Sequence, residues 1–340
     1  MEIIKNIKKN TIILLMITLL ILYILLKYNF NDIIKALSTM DYKFVILAIV
    51  VYFLSIITKA YVTYKTVNDK KKFTLRESIK HNVITQFFNG ITPFSSGGQP
   101  MEIYMLTEHN ISVTNATNII IQNFIFYQTA LVIYGALAVG YNAIFHIFPK
   151  IPILRELVLI GFIVNIIVAI ALFIITFSRK LTRIVTNLII SILYNLHFVK
   201  DKSLTKEKWH IRLEEFHDSA KKLRKRKSLF IVGVILNFIS LTLFYIIPLM
   251  IMYALHDYTS MNIMDTLTAS AYVLIIGAFV PIPGASGGIE YGFLQFYGNF
   301  IGKRIISTVL IIWRFVTYYL GIIIGALVIS LEKKGEQKWE

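Results

Sequence analysis

Cysteine is absent from all 340 residues. Its absence excludes disulfides, thiolate metal sites, iron–sulfur clusters and thiol nucleophiles together. Seven histidines are scattered at 81, 109, 146, 197, 210, 217 and 256, and none forms a ligand pair of the H-E-x-x-H kind. No metal and no cofactor is expected. No glycine-rich loop ends in Lys-Ser or Lys-Thr, so direct use of ATP has no support. Charge is also scarce, at 16% of residues, against about 25% in a typical soluble domain.

What is present is apolar: 56% of residues are hydrophobic and the mean hydropathy is +0.67. Long stretches carry almost no charge, the pattern of a chain whose solvent is a bilayer. The net charge of +16 does not point to nucleic acid. Most basic residues flank apolar runs, where positive charge sets orientation and attracts anionic headgroups. The expected class is an all-α polytopic membrane protein, with residues 1–340 forming a single integral membrane domain.

About six full spans are read at residues 11–26, 44–62, 118–148, 156–177, 229–255 and 304–331. The first follows Lys5, Lys8 and Lys9 like the basic end of a signal peptide. No small-residue cleavage site comes after it, so an uncleaved span is expected. Lys59, near the end of the second, is expected to snorkel to the interface. Lys65, Lys70, Lys71, Lys72, Arg76 and Lys80 then form a basic loop. Residues 178–228 look soluble. In them Trp209, Leu213, Phe216, Ala220 and Leu223 make one apolar helix face, followed by a run of Lys and Arg to Lys227. A solvated cytoplasmic helix and a helix lying on anionic lipid both fit. On the third span, Asn118, Gln122, Asn123 and Gln128 are expected to join helices rather than bind a ligand.

Two segments are apolar yet broken. Residues 81–106 contain Gly90, Pro93, Gly97, Gly98 and Pro100, and residues 266–302 contain Pro281, Pro283, Gly284, Gly287, Gly288 and Gly292. Backbone broken at membrane depth must be shielded by protein or line a wet cavity. With the Lys65–Lys80 loop in the cytoplasm, residues 178–228 stay there only if the first broken segment enters and returns on that side. The second then dips in from the outer side, and both termini are cytoplasmic. This threading leaves Lys303 and Arg304 outside.

The broken segments share a motif. Pro93-Phe94-Ser95-Ser96-Gly97-Gly98-Gln99 leads to Glu102, and Pro283-Gly284-Ala285-Ser286-Gly287-Gly288 leads to Glu290. Each is P-x-x-S-G-G followed within four residues by glutamate. Entry from opposite faces is what an inverted repeat predicts, with two re-entrant segments meeting near the midplane. Glycine and serine are expected to leave N–H groups open, and a half-helix start offers its positive dipole end to an anion such as a lipid phosphate. Ser95, Ser96 and Ser286 add hydroxyls. Glu102 and Glu290 each cost on the order of 2.5–3.5 kcal/mol at the bilayer centre. Arg314 is a third ionisable group there, either a structural partner of one glutamate or a contact for the headgroup.

At these residues the chain resembles the lysylphosphatidylglycerol synthase transmembrane region, a flippase-like domain. The residues that carry the resemblance are Gly97-Gly98-Gln99-Pro100-Met101-Glu102 and Pro281 through Glu290, with Ala285 where a second glycine is common. In full-length members this region precedes a soluble domain that transfers an amino acid from aminoacyl-tRNA to phosphatidylglycerol. The last span here ends nine residues before Glu340, so that transferase activity is not expected. The resemblance implies a cell-membrane protein that translocates an anionic or aminoacylated phospholipid between leaflets. Two readings stand beside it. One is an enzyme acting on a lipid headgroup, with Glu102 or Glu290 as base and Ser96 or Ser286 as nucleophile, for which the family-level label is phosphatidylglycerol lysyltransferase; no histidine is spaced to activate either serine. The other is a membrane partner that recruits a separate soluble synthase through residues 178–228. Homo-oligomerisation is left open.

Overall fold

The computed structural model describes residues 34–67, 73–148, 152–195, 201–224 and 226–336. The apolar run at 11–26 lies outside them. Regular structure among the described residues is wholly helical. The helices are α1 (Tyr42–Val67), α2 (Leu75–Ile91), α3 (Gly98–Glu108), α4 (Val113–Phe145), α5 (Pro152–Phe177), α6 (Arg179–Asn195) and α7 (Lys202–Arg224). After them come α8 (Lys227–Tyr245), α9 (Ile247–Ala254), α10 (Ile263–Gly277), α11 (Gly288–Tyr297), α12 (Lys303–Arg314) and α13 (Leu320–Glu336). A π-helical turn, Phe315–Tyr319, joins α12 to α13.

Among the described residues five helices are long and apolar enough to cross a membrane: Tyr42–Val67, Val113–Phe145, Leu154–Phe177, Lys227–Ala254 and Ile305–Leu331. They coincide with the five later runs read from the sequence. The protein is a multi-pass, all-α membrane protein. At the start of α4, a cap explains the shift from the expected boundary. α4 starts at Val113, before the apolar run, because the Ser112 side chain accepts from the Asn115 N–H. Its 33 residues reach about 50 Å, well beyond the roughly 30 Å of a hydrocarbon core.

Polar contacts define the two ends of the bundle. At one end Arg226 donates to the Lys65 carbonyl, and Glu77 meets His109 at 3.7 Å. At the other, the Asp41 N–H donates to the Ala254 carbonyl, and Tyr141 donates to Asp265 at 3.2 Å. The first broken segment is a helical hairpin, α2 packed on α3, with both feet at the basic end. Glu77 near the start of α2 and His109 just past α3 are therefore neighbours. The second hairpin, α10 on α11, stands on the opposite end, where Tyr297 donates to the Thr266 carbonyl. The turns at the two hairpin tips touch one another.

Eleven of the 15 residues of α10 and six of the ten of α11 are buried. Phe293 stacks between Tyr297 at 4.1 Å and Trp313 at 4.9 Å. Ser270 reaches the Tyr245 carbonyl and the Tyr297 hydroxyl, both at 2.7 Å. These polar groups satisfy each other where no water would. By contrast α5 turns Ile160, Ile163, Ile167 and Ile170 outward, as a lipid-facing helix does.

Residues 178–228 differ from the single amphipathic helix expected. They form an antiparallel pair, α6 and α7. Arg179 pairs with Asp218 and Glu214, and Arg183 pairs with Glu214. Trp209, read from the sequence as part of one apolar helix face, is exposed on α7. An exposed aliphatic stripe lies on α6, where it follows the α5 run so closely that the sequence blurs the two.

Removing the Tyr297 hydroxyl takes away its contacts with Ser270 and the Thr266 carbonyl inside the second hairpin. Tyr297→Phe should lower unfolding stability by about 1 kcal/mol, read by denaturant titration in detergent, with helix content unchanged.

Candidate functional site

The shared motif folds into nearly the same turn twice. Thr92 (φ −113°, ψ 144°) and Ile282 (φ −115°, ψ 145°) are extended and lead into a proline. The next two residues then turn left-handed: Phe94 and Ser95 at φ 54° and 53°, Gly284 and Ala285 at 64° and 50°. Three of the four are not glycine, and such backbone persists only where the surroundings impose it. The bonds match as well. Ser95 and Ser96 N–H donate to Thr92 and Pro93, as Ala285 and Ser286 N–H do to Ile282 and Pro283. Ser96 and Ser286 hydroxyls both donate back to their proline carbonyl. The copies part after that, since Ser286 is extended and Gly287 lies at φ 90°, while Ser96 and Gly97 are right-handed. Even so, α3 and α11 start at equivalent glycines, Gly98 and Gly288.

Three of the motif's glycine N–H groups, expected to be open, are bonded within the turns. Gly97 N–H donates to Thr92 Oγ1 at 2.9 Å and Gly98 N–H to Asn89 Oδ1 at 3.0 Å. Gly287 N–H donates to Glu290 at 2.6 Å. The physical reason is local: a break releases donors, and the side chains before or after it are close enough to take them. At Gly98 the approach is so tight that a Cβ would lie 2.2 Å from Asn89 Oδ1.

The two glutamates play different parts. Glu290 caps α11 and accepts from Arg314 Nε at 2.6 Å. Arg314 also donates to the Gly284 carbonyl at 3.0 Å and to Ser286 Oγ at 3.4 Å. Its guanidinium lies 4.5 Å from the centre of the Tyr318 ring. Both charges are buried and each is neutralised within the protein. Tyr318 in turn donates to the Gly90 carbonyl of the first hairpin at 2.9 Å. It sits so close to Gly284 that a Cβ there would fall 2.1 Å from the ring. The π turn that carries Tyr318, a feature common at functional sites, thus wedges it between the two tips.

Glu102 stands one turn inside α3 and accepts from Thr63 of α1 at 3.4 Å. Thr63 accepts from Asn123, which accepts from Thr66. Nearby is Lys59, whose ammonium lies 5.5 Å from the centre of the Tyr127 ring. Among the described residues Lys59 has no ion pair within 4 Å. Lys59 does not snorkel to an interface as the sequence suggested. α1 runs eight residues past it, to Val67, about 12 Å of helix.

Lys59 and Glu102 face one cavity of about 690 Å³ between the hairpin tips and helices α1, α4 and α8. Of the residues singled out beforehand, Ser95, Ser96, Gln99, Glu102, Gly284 and Arg314 line it. Gly97, Gly98, Pro283, Ser286, Gly287, Gly288 and Glu290 form the turns behind that wall rather than the wall itself. Lys59, Asn89, Asn123, Tyr127 and Tyr318 also line it; the sequence reading gave Lys59 to the interface and Asn123 to helix joining, and placed none of the five at the site. A lysine well inside an apolar run was the one signal available. Gln128 and Asn123 do join helices as expected, Gln128 donating to Asn165 of α5.

The buried pair gives a test of what holds the second tip. Arg314→Met alone should cost about 3–5 kcal/mol by stranding Glu290. The double variant Glu290→Leu/Arg314→Met should recover most of that loss, measured by thermal unfolding in detergent.

Comparison with known proteins agrees with this architecture. The chain is 23% identical over 258 residues to a UPF0104 membrane protein of Archaeoglobus fulgidus, covering 74% of this chain and 75% of that one. Residues 11–325 match the family described as the lysylphosphatidylglycerol synthase TM region. With almost the whole bundle inside that match, both hairpins and the cavity included, the chain belongs to the lysylphosphatidylglycerol synthase TM-region family.

Proposed function

We propose that this protein moves phospholipid headgroups between the leaflets of the cell membrane through the cavity between the two hairpins. In this reading the hairpins are re-entrant and form an inverted repeat, the first entering from the cytoplasmic face and the second from the outer face. Both termini are cytoplasmic, which keeps the basic end on the side the positive-inside rule favours. The observation that carries the proposal is the pair of cavity charges, Lys59 and Glu102, which attract each other through space but form no direct ion pair within 4 Å. A headgroup crossing hydrocarbon needs its charge matched along the way, and an ammonium over an aromatic ring is a ready partner for a phosphate. The Glu290–Arg314 pair is already satisfied and serves to hold the outer tip.

A chemical role for the motif serines has less support. Both hydroxyls are committed to proline carbonyls, and the buried histidine of the first hairpin, His81, packs on Phe73 and His109 at its foot. Neither serine has the base that a nucleophile requires.

Reconstitution into liposomes with fluorescent phosphatidylglycerol tests the reading. The protein should speed leaflet exchange, followed by quenching of the outer leaflet. Lys59→Met and Glu102→Gln should each slow it by about tenfold or more, a barrier change of roughly 1.4 kcal/mol, with folding intact by size exclusion. Exchange no faster than in protein-free vesicles, or a chemically altered lipid without exchange, would overturn it.

A further inference from the structure

The α6–α7 pair presents a surface that the transport reading does not use. Along α6, Leu181, Ile184, Val185, Leu188, Ile189 and Ile192 fall at i, i+3, i+4, i+7, i+8 and i+11, which places them on one face. All six are between 42% and 57% exposed. The opposite face meets α7 at points along its length. Arg179 meets Asp218, Arg183 meets Glu214, Asn187 meets His210 at 3.2 Å, and Lys202 lies over the Tyr194 ring. Ile190 is buried on that side. α7 itself packs on α4, α5 and α8, so the rotation of α6 is set and its apolar face must point away from the bundle.

Six branched aliphatic side chains in water would be an unusual patch for any helix. What covers them follows from continuity with α5. Ser178 N–H donates to Ile174 and Thr182 N–H to Ser178, while the Thr182 hydroxyl donates to the Ile175 carbonyl. The two helices thus join with no spacer. Ile174 and Phe177 at the end of α5 are exposed like the stripe beyond them. The apolar span Leu154–Phe177, 24 residues, is about 36 Å long and already crosses a bilayer. α6 therefore begins at the membrane boundary, with Arg179, Lys180 and Arg183 at the level of anionic headgroups.

We propose that α6 is an interfacial helix. It lies in the plane of the leaflet at the basic end, its Leu181–Ile192 face sunk between headgroups and acyl chains and its arginines braced by α7. The occupant of this face is the lipid monolayer. Such a helix fixes the depth at which the foot of the first hairpin sits.

The absence of cysteine makes single-site spin labelling clean. Leu188→Cys on α6, Ile167→Cys on the lipid face of α5 and Glu207→Cys on α7 would each be labelled in the full chain. The labelled proteins would be reconstituted in vesicles of phosphatidylcholine and phosphatidylglycerol. Label 188 should resemble label 167, colliding severalfold more with oxygen than with a water-soluble nickel chelate, while label 207 shows the reverse. If label 188 is as open to nickel as label 207, the face is solvated and the proposal fails. Dipolar coupling between 188 labels on two copies, with few collisions with oxygen, would also overturn it in favour of self-association. Neither outcome depends on whether lipid is transported.

Discussion

A helix that breaks inside an apolar bundle releases backbone donors and acceptors that no water can reach, and each must find a partner from nearby side chains. Both hairpin tips here are built around that requirement. Thr92 and Asn89 take the N–H groups at the start of α3. Glu290 takes the one at the start of α11, while Arg314 takes the Gly284 carbonyl. Once Glu290 serves as a cap, its charge needs a counter-charge, and Arg314 supplies it from the next helix. Arg314 then positions Tyr318, which crosses to Gly90 of the other hairpin. A local need for hydrogen bonds thus becomes the joint between the two halves of the molecule.

The same constraint separates a closed ion pair from charges that line a cavity without one. Glu290 and Arg314 are mutually neutralised and held by three bonds in one geometry. Glu102 and Lys59 lie in the same cavity and interact only through space, with no direct ion pair. Similar residues in similar motifs have therefore been given different work. The distinction rests on position within the helix. Glu290 is the third residue of α11 and folds back onto its N-terminus, whereas Glu102 is the fifth residue of α3 and reaches outward to α1. The sequence pattern treats these two glutamates as equivalent, and the structure does not.

Outside the core, the bundle shows two kinds of apolar surface. On α5 the exposed isoleucines face what a spanning helix always faces. On α6 the same chemistry appears on a helix braced by ion pairs, which is how a chain builds an element that rests on a membrane rather than crossing it. A window long enough to find spans merges the two, because Ser178 is all that divides them.

Hydropathy by itself determined the class of this protein and where its described spans run, because the cost of placing charge in hydrocarbon leaves few alternatives. The P-x-x-S-G-G repeat likewise determined where the helices break, since proline and glycine act through the backbone and need no distant partner. Which donors a break leaves open, which glutamate meets Arg314, and whether Lys59 reaches an interface or a cavity were decided only in three dimensions. Those outcomes depend on contacts between residues as far apart as Gly90 and Tyr318, or Thr63 and Asn123. No local pattern encodes such contacts, because they exist only once the helices have packed.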